Sequence, residues 1–141
     1  GYQKTIYRIT SIVAPIGIEL HQDAHRGICC QNPDGLADFG LWIMPDNQQE
    51  GMLEDWITSC ISETEQTLFQ HATDAVQNIP TPKFPAHLTS KAQVATWPAW
   101  QKQPGHGLYA VIKDQLLDNE HPLFKELEQW LLRIFPQESE Q

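Results

Sequence analysis

The chain has 141 residues, 40% of them hydrophobic, and a formal net charge of −9. That length suits one domain around one core. The acidic balance argues against broad, non-specific nucleic-acid binding, which needs Lys and Arg to neutralise phosphates, but leaves a metal-dependent nuclease open, because a bound divalent cation locally reverses the field. No apolar run approaches the roughly 20 residues needed to cross a bilayer. The N-terminus has no basic-then-apolar signal pattern. These features predict a soluble, cytoplasmic protein without a membrane partner. Gly1 reads as a cloning remnant or the edge of a longer chain. Cys29 and Cys30 are adjacent and Cys60 stands alone. This is neither a disulfide framework nor CxxC zinc spacing, so reduced thiols are expected.

Thr5 to Ala14 is rich in Ile, Val, Thr and Tyr and reads as a strand ended by Pro15. Gly17 to Leu20 reads as a second short strand running into His21, Gln22 and Asp23. Arg26 to Asp38 carries Gly27, Pro33 and Gly35 and reads as a loop or a weakly structured crossing. Leu41 to Met44 is a third strand. From Gly51 the pattern turns helical: Met52, Leu53, Trp56, Ile57, Cys60 and Ile61 share one face. Ser62 with Glu65 resembles a capping box opening a helix with Leu68, Phe69, Ala72, Ala75, Val76 and Ile79 inward. Pro80, Pro82 and Pro85 make a stiff connector. Thr89 or Ser90 caps a helix that Pro98 ends. A turn follows at Pro104 to Gly107, then a helix from Leu108 to Leu117. The last helix opens at Pro122 and turns Leu123, Phe124, Leu127, Trp130, Leu131, Ile134 and Phe135 to one face. Strands first and helices later give an α/β or α+β class: a small mixed or parallel sheet and a helix-rich C-terminal half.

The acidic groups gather near the stretch from Gly40 to Trp56. Open α/β sheets place sites at the carboxyl ends of their strands. Asp46 follows the third strand and Asp23 the second, so on neighbouring parallel strands they would converge. Glu54 flanks the apolar face of the next helix and can point to the same place. Three such carboxylates suit Mg²⁺ or Mn²⁺, which would support phosphoryl chemistry through a metal-activated nucleophile. His21, Asn47 and Asp55 would stand behind them. The structural alternative is strong. Acidic residues in a first helical turn complement its dipole, and Asp-Asn after a strand is ordinary turn chemistry.

The string WIMPDNQQEGMLEDW, then Lys91 and Ala92, Thr96 to Gln101, Pro104 and Gly105, and finally Phe124, Trp130, Leu131 and Phe135 resemble an uncharacterised family of bacterial proteins. Its signature is Trp-[ILV]-Met-Pro-Asp-Asn … Gly-[ML]-Leu-Glu-Asp-Phe. The family is similar to the Toprim-like fold of the overcoming-lysogenization-defect nucleases. That resemblance implies a Toprim-like sheet, Mg²⁺, and nucleic acid as partner if the chain is catalytic. It spans roughly residues 40 to 135. Asp46, Glu54 and Asp55 match as they stand. Trp56 replaces the family's Phe and Pro98 its Leu. The expected opening Val-Glu-Gly strand is missing, and His21 stands where the first Asp of Asp-Ala-Asp belongs, with Asp23 as the second. The implied domain, residues 1–141, is therefore N-terminally truncated or abridged, or its metal site has decayed.

Two other constellations exist. On a strand, His21, Asp23 and His25 would share a face and suit Zn²⁺ or Ni²⁺, though Gln22 removes the catalytic Glu of HExxH. Trp97 and Trp100, near Lys91 and Lys102, are either a base-stacking face or core. The functional expectation is divalent-metal phosphodiester chemistry or a degenerate descendant of it. The alternative is a non-enzymatic binding or assembly module with a structural acidic motif. Homo-oligomers stay open.

Overall fold

The computed structural model describes residues 1–22, 27–31, 34–35 and 38–135. It is a mixed α/β protein whose helices dominate the C-terminal half. The chain divides into two compact units: Gly1–Met52 with Pro122–Gln141, and Leu53–His121.

The first unit contains the sheet. α1 (Tyr2–Val13) opens the chain, and a 3₁₀ turn (Ala14–Ile16) ends it at Gly17, whose φ of 79° is left-handed. β1 (Glu19–Gln22), β2 (Ile28–Gln31) and β3 (Phe39–Leu41) form one sheet in that order, antiparallel throughout. The expectation of a parallel or mixed sheet is corrected by chain length. Only residues 23–27 join β1 to β2 and only 32–38 join β2 to β3, whereas a parallel crossover needs about a dozen or more.

The register separates the two faces. Leu20, Cys30 and Phe39 share one face with Ile28 and Leu41, while His21, Cys29 and Gly40 share the other. Val13, Ile18, Ile28 and Cys30 form the core on the first face, with Ile6, Ile9, Leu20 and Leu41 packed against them. That core explains α1. The segment read as a strand from Thr5 is a helix because Ile6, Ile9 and Val13 recur at helical spacing toward the sheet, and tertiary packing overrides their β-branched preference. α6 (Pro122–Ile134) covers the other face. A Cβ on Gly40 would stand 2.5 Å from Cζ2 of Trp130 and 2.7 Å from Cδ1 of Ile134, and one on Gly27 would collide with the Trp130 indole. Trp42 packs on Trp130 with ring centroids 5.5 Å apart. Arg26 to Asp38 was expected to be a loop or a weakly structured crossing, yet β2 lies within it.

The second unit is helical: α2 (Leu53–Ser59), α3 (Gln66–Gln77), α4 (Thr89–Thr96) and α5 (Leu108–Lys113). Trp97 is fully buried and meets the ring of Phe69 in a T-shaped contact, centroids 5.7 Å apart at 83°. Phe69, Ala72 and Val76 are the buried part of the expected α3 stripe, while Ile79 is exposed. The capping box does not form. Ser62 makes no side-chain cap, and Oε2 of Glu65 instead accepts from Nε1 of Trp97 (2.9 Å) and Nε2 of Gln101 (2.6 Å). α5 is shorter than expected, because Gln115 takes a φ of 55° and turns the chain so that Leu116 and Leu117 reach the core. Backbone bonds from Ser62 N to Leu116 O and from Asp118 N to Cys60 O close this unit.

Candidate functional site

The residues named from sequence fall in different places. Asp23 and His25 lie outside the described residues. His21 is on β1, its ring 59% exposed and 3.7 Å from the Glu19 carboxylate. Asp46 and Asn47 belong to the first unit, and Glu54 and Asp55 to the second. The boundary between the units falls at Met52 and Leu53, inside the stretch from Gly40 to Trp56. Among the described residues, no three His, Cys, Asp or Glu side chains gather as a metal would require.

Asp46 is 5% exposed and sits in the turn that follows β3. Its Oδ1 accepts from the backbone N–H of Gln48 (3.0 Å) and of Gln49 (2.8 Å), and its Oδ2 from Nε2 of Gln49 (3.1 Å). This is the Asx-type turn chemistry of a carboxylate that folds the chain over itself. Asn47, fully buried, takes a φ of 61°, a left-handed conformation that Asn tolerates better than most residues. Its backbone N–H donates to the Ile43 carbonyl (2.8 Å) and its Oδ1 accepts from Ile43 N–H (2.7 Å), pinning the turn from both sides. Nε1 of Trp42 donates to the Pro45 carbonyl (3.3 Å). Nδ2 of Asn47 meets no acceptor among the described residues.

Glu54 is the second residue of α2, and only 6% of it is exposed. Its Oε1 lies 3.6 Å from Nζ of Lys91 on α4. A buried carboxylate needs a cation or several donors, and α4 supplies one. Asp55 is half-buried beside it. Sequence reading missed Lys91 as a partner because a contact between two helices leaves no local spacing signal.

Asp46 already spends lone pairs of both oxygens on N–H donors, and the unmatched group beside it, Nδ2 of Asn47, is itself a donor. Glu54 already faces an ammonium.

The thiols form no disulfide. Cys30 belongs to the core, and burial, with a lesser contribution from the neighbouring Cys29, pushes its thiol above the ordinary pKa. Sγ of Cys60, also buried, lies 3.7 Å from Nδ1 of His121. Trp97 is core, whereas Trp100 is 45% exposed. No described helix is long and apolar enough to cross a membrane.

A family model described as "Protein of unknown function (DUF3226)" matches residues 2–136. No curated protein and no solved structure matches the chain.

Proposed function

Because the chain belongs to the DUF3226 family, whose description assigns no activity, we propose its role from the geometry: a non-enzymatic binding or assembly module, descended from a Toprim-like, Mg²⁺-dependent nuclease and no longer using its carboxylates for metal. The observation that carries this reading is the Asp46 turn. A ligand carboxylate must offer lone pairs to the ion, and here three of the roughly four that an ionised carboxylate carries are taken by the amides of Gln48 and Gln49. Two further features support it. Glu54 is neutralised by Lys91, and His21 replaces the first aspartate that the Toprim resemblance calls for.

The competing reading keeps phosphodiester hydrolysis at Asp23, Asp46 and Glu54 with Mg²⁺ or Mn²⁺. One experiment separates the two. The melting temperature is followed as Mg²⁺ or Mn²⁺ is added, and the same samples are assayed on bis-p-nitrophenyl phosphate. A module without a metal site shows no shift and no turnover. A site filled to about 100 times its Kd would add about 2.7 kcal/mol of stability. Such a shift, or metal-dependent turnover lost in Asp46→Asn, would restore the nuclease.

A further inference from the structure

The charge is unevenly spread along the chain. Residues 75–113 contain four lysines (Lys83, Lys91, Lys102 and Lys113) and no Asp or Glu, so of the formal −9 this stretch holds +4 and the remainder −13. The whole stretch lies inside the second unit. Its elements touch in order: the 3₁₀ turn Ala86–Leu88 meets α4, α4 meets the 3₁₀ turn Pro98–Trp100, and that turn meets α5. Apolar side chains remain uncovered on the last two: Trp100 is 45% exposed, Tyr109 68% and Ile112 59%. Nζ of Lys113 stands 6.0 Å from the centre of the Tyr109 ring, and Lys102 lies two residues beyond Trp100.

We propose that this surface, with Trp100, Tyr109 and Ile112 as anchors and Lys102 and Lys113 as flanking cations, docks an acidic amphipathic segment of a partner protein. The inference rests on the reading of the chain as a binding module and names its partner's chemistry. Tyr and Trp with an aliphatic neighbour are the side chains that dominate protein interfaces, and charges at the rim set partner choice and on-rate. Lys91 is already engaged by Glu54, so the cations open to a partner are few and spaced. That number suits carboxylates set among apolar side chains. It does not suit a nucleic-acid backbone, whose affinity scales with the phosphates neutralised and which the −13 elsewhere opposes. Ile112 also presents an aliphatic surface on which a base cannot stack.

The test uses the whole chain and three fluorescein-labelled probes: an amphipathic Glu/Leu peptide of about 15 residues, its Lys/Leu counterpart, and an oligo-dT of similar length. The Glu/Leu peptide binds, and binding weakens with salt. Its Kd rises by about tenfold or more in Tyr109→Ala/Ile112→Ser and in Lys102→Glu/Lys113→Glu. All four residues are exposed, so both variants keep the parent melting temperature. Three results would overturn the inference: no binding at millimolar protein, equal binding of the Lys/Leu peptide, or an affinity indifferent to both variants. Preference for oligo-dT would make the surface a nucleic-acid interface, and salt-sensitive self-association in sedimentation would make its occupant a second copy. Either result also overturns it. The same samples carry Mg²⁺ and the phosphodiester substrate. Turnover there would remove the non-enzymatic reading itself, whereas failed peptide binding without turnover removes only the docking surface.

Discussion

Replacing Asp46 by Ala tests whether its carboxylate serves the fold. The change deletes the acceptor for two backbone N–H groups and one side-chain amide. Hydrogen bonds to a charged group contribute about 1.5–3 kcal/mol each. Gln48 and Gln49 are exposed, however, so water recovers much of each bond. The expected cost is therefore about 2–3 kcal/mol in total, at or above the upper end of a lost N-cap. Asp46→Asn keeps Oδ1 as an acceptor and loses charge assistance and the bond to Nε2 of Gln49, so it costs about 1 kcal/mol. Urea unfolding followed by tryptophan fluorescence measures both, and Trp42, bonded to the Pro45 carbonyl, reports on this turn. A loss below about 0.5 kcal/mol for Asp46→Ala, the range of ordinary surface changes, would refute the structural role. So would an Asp46→Asn protein more stable than the parent, the signature of a carboxylate held under strain for function.

Glu65→Ala leaves the Trp97 indole N–H without its acceptor in a fully buried site, and should cost about 2–3 kcal/mol by urea titration, while Glu65→Gln retains a carbonyl acceptor and costs less. Gly40→Ala drives a methyl group into Trp130 and Ile134 and should lower stability by about 1–3 kcal/mol, with loss of near-ultraviolet tryptophan dichroism. The Cys30 thiol is raised by burial above its ordinary 9.0, so the unfolded chain releases that proton first. Its contribution is complete below pH 9.0 and is lost as pH climbs toward the folded pKa. Alkaline unfolding curves should show this decline in the parent, and less of it in Cys30→Val.

What the sequence revealed depended on how local each interaction is. α6 and α3 carry their own periodicity, and both were readable. α1 was misread because Thr5, Ile6, Ile9, Thr10, Ile12 and Val13 have strand-forming side chains, and only the sheet beneath them selects the helical face. β2 was hidden in a segment with Gly27, Pro33 and Gly35, where four residues are too few to show alternation. In the stretch from Gly40 to Trp56, Asp46 and Asn47 act on residues within a few positions, so their turn role stood open to sequence reading. The partner of Glu54 is Lys91, and the partners of Glu65 are Trp97 and Gln101. None of these is local, and no spacing rule could have named them.

This stretch therefore joins two separate structural duties across the unit boundary. Asp46 closes a turn in the first unit, and Glu54 ties α2 to α4 in the second. The partners seen for each differ: the amides of Gln48 and Gln49 for Asp46, and Lys91 for Glu54. A double-mutant cycle on Asp46→Asn and Glu54→Gln, measured with and without Mg²⁺, tests this directly. Independent sites add to within about 0.5 kcal/mol, and the metal should leave that sum unchanged. Two carboxylates sharing one ion behave otherwise: the first substitution already loses most of the binding, and the second loses little more. A coupling of about 1 kcal/mol or more that appears only with Mg²⁺ would place both residues on one ion, and the stretch from Gly40 to Trp56 would then mark a metal centre instead of two structural locks.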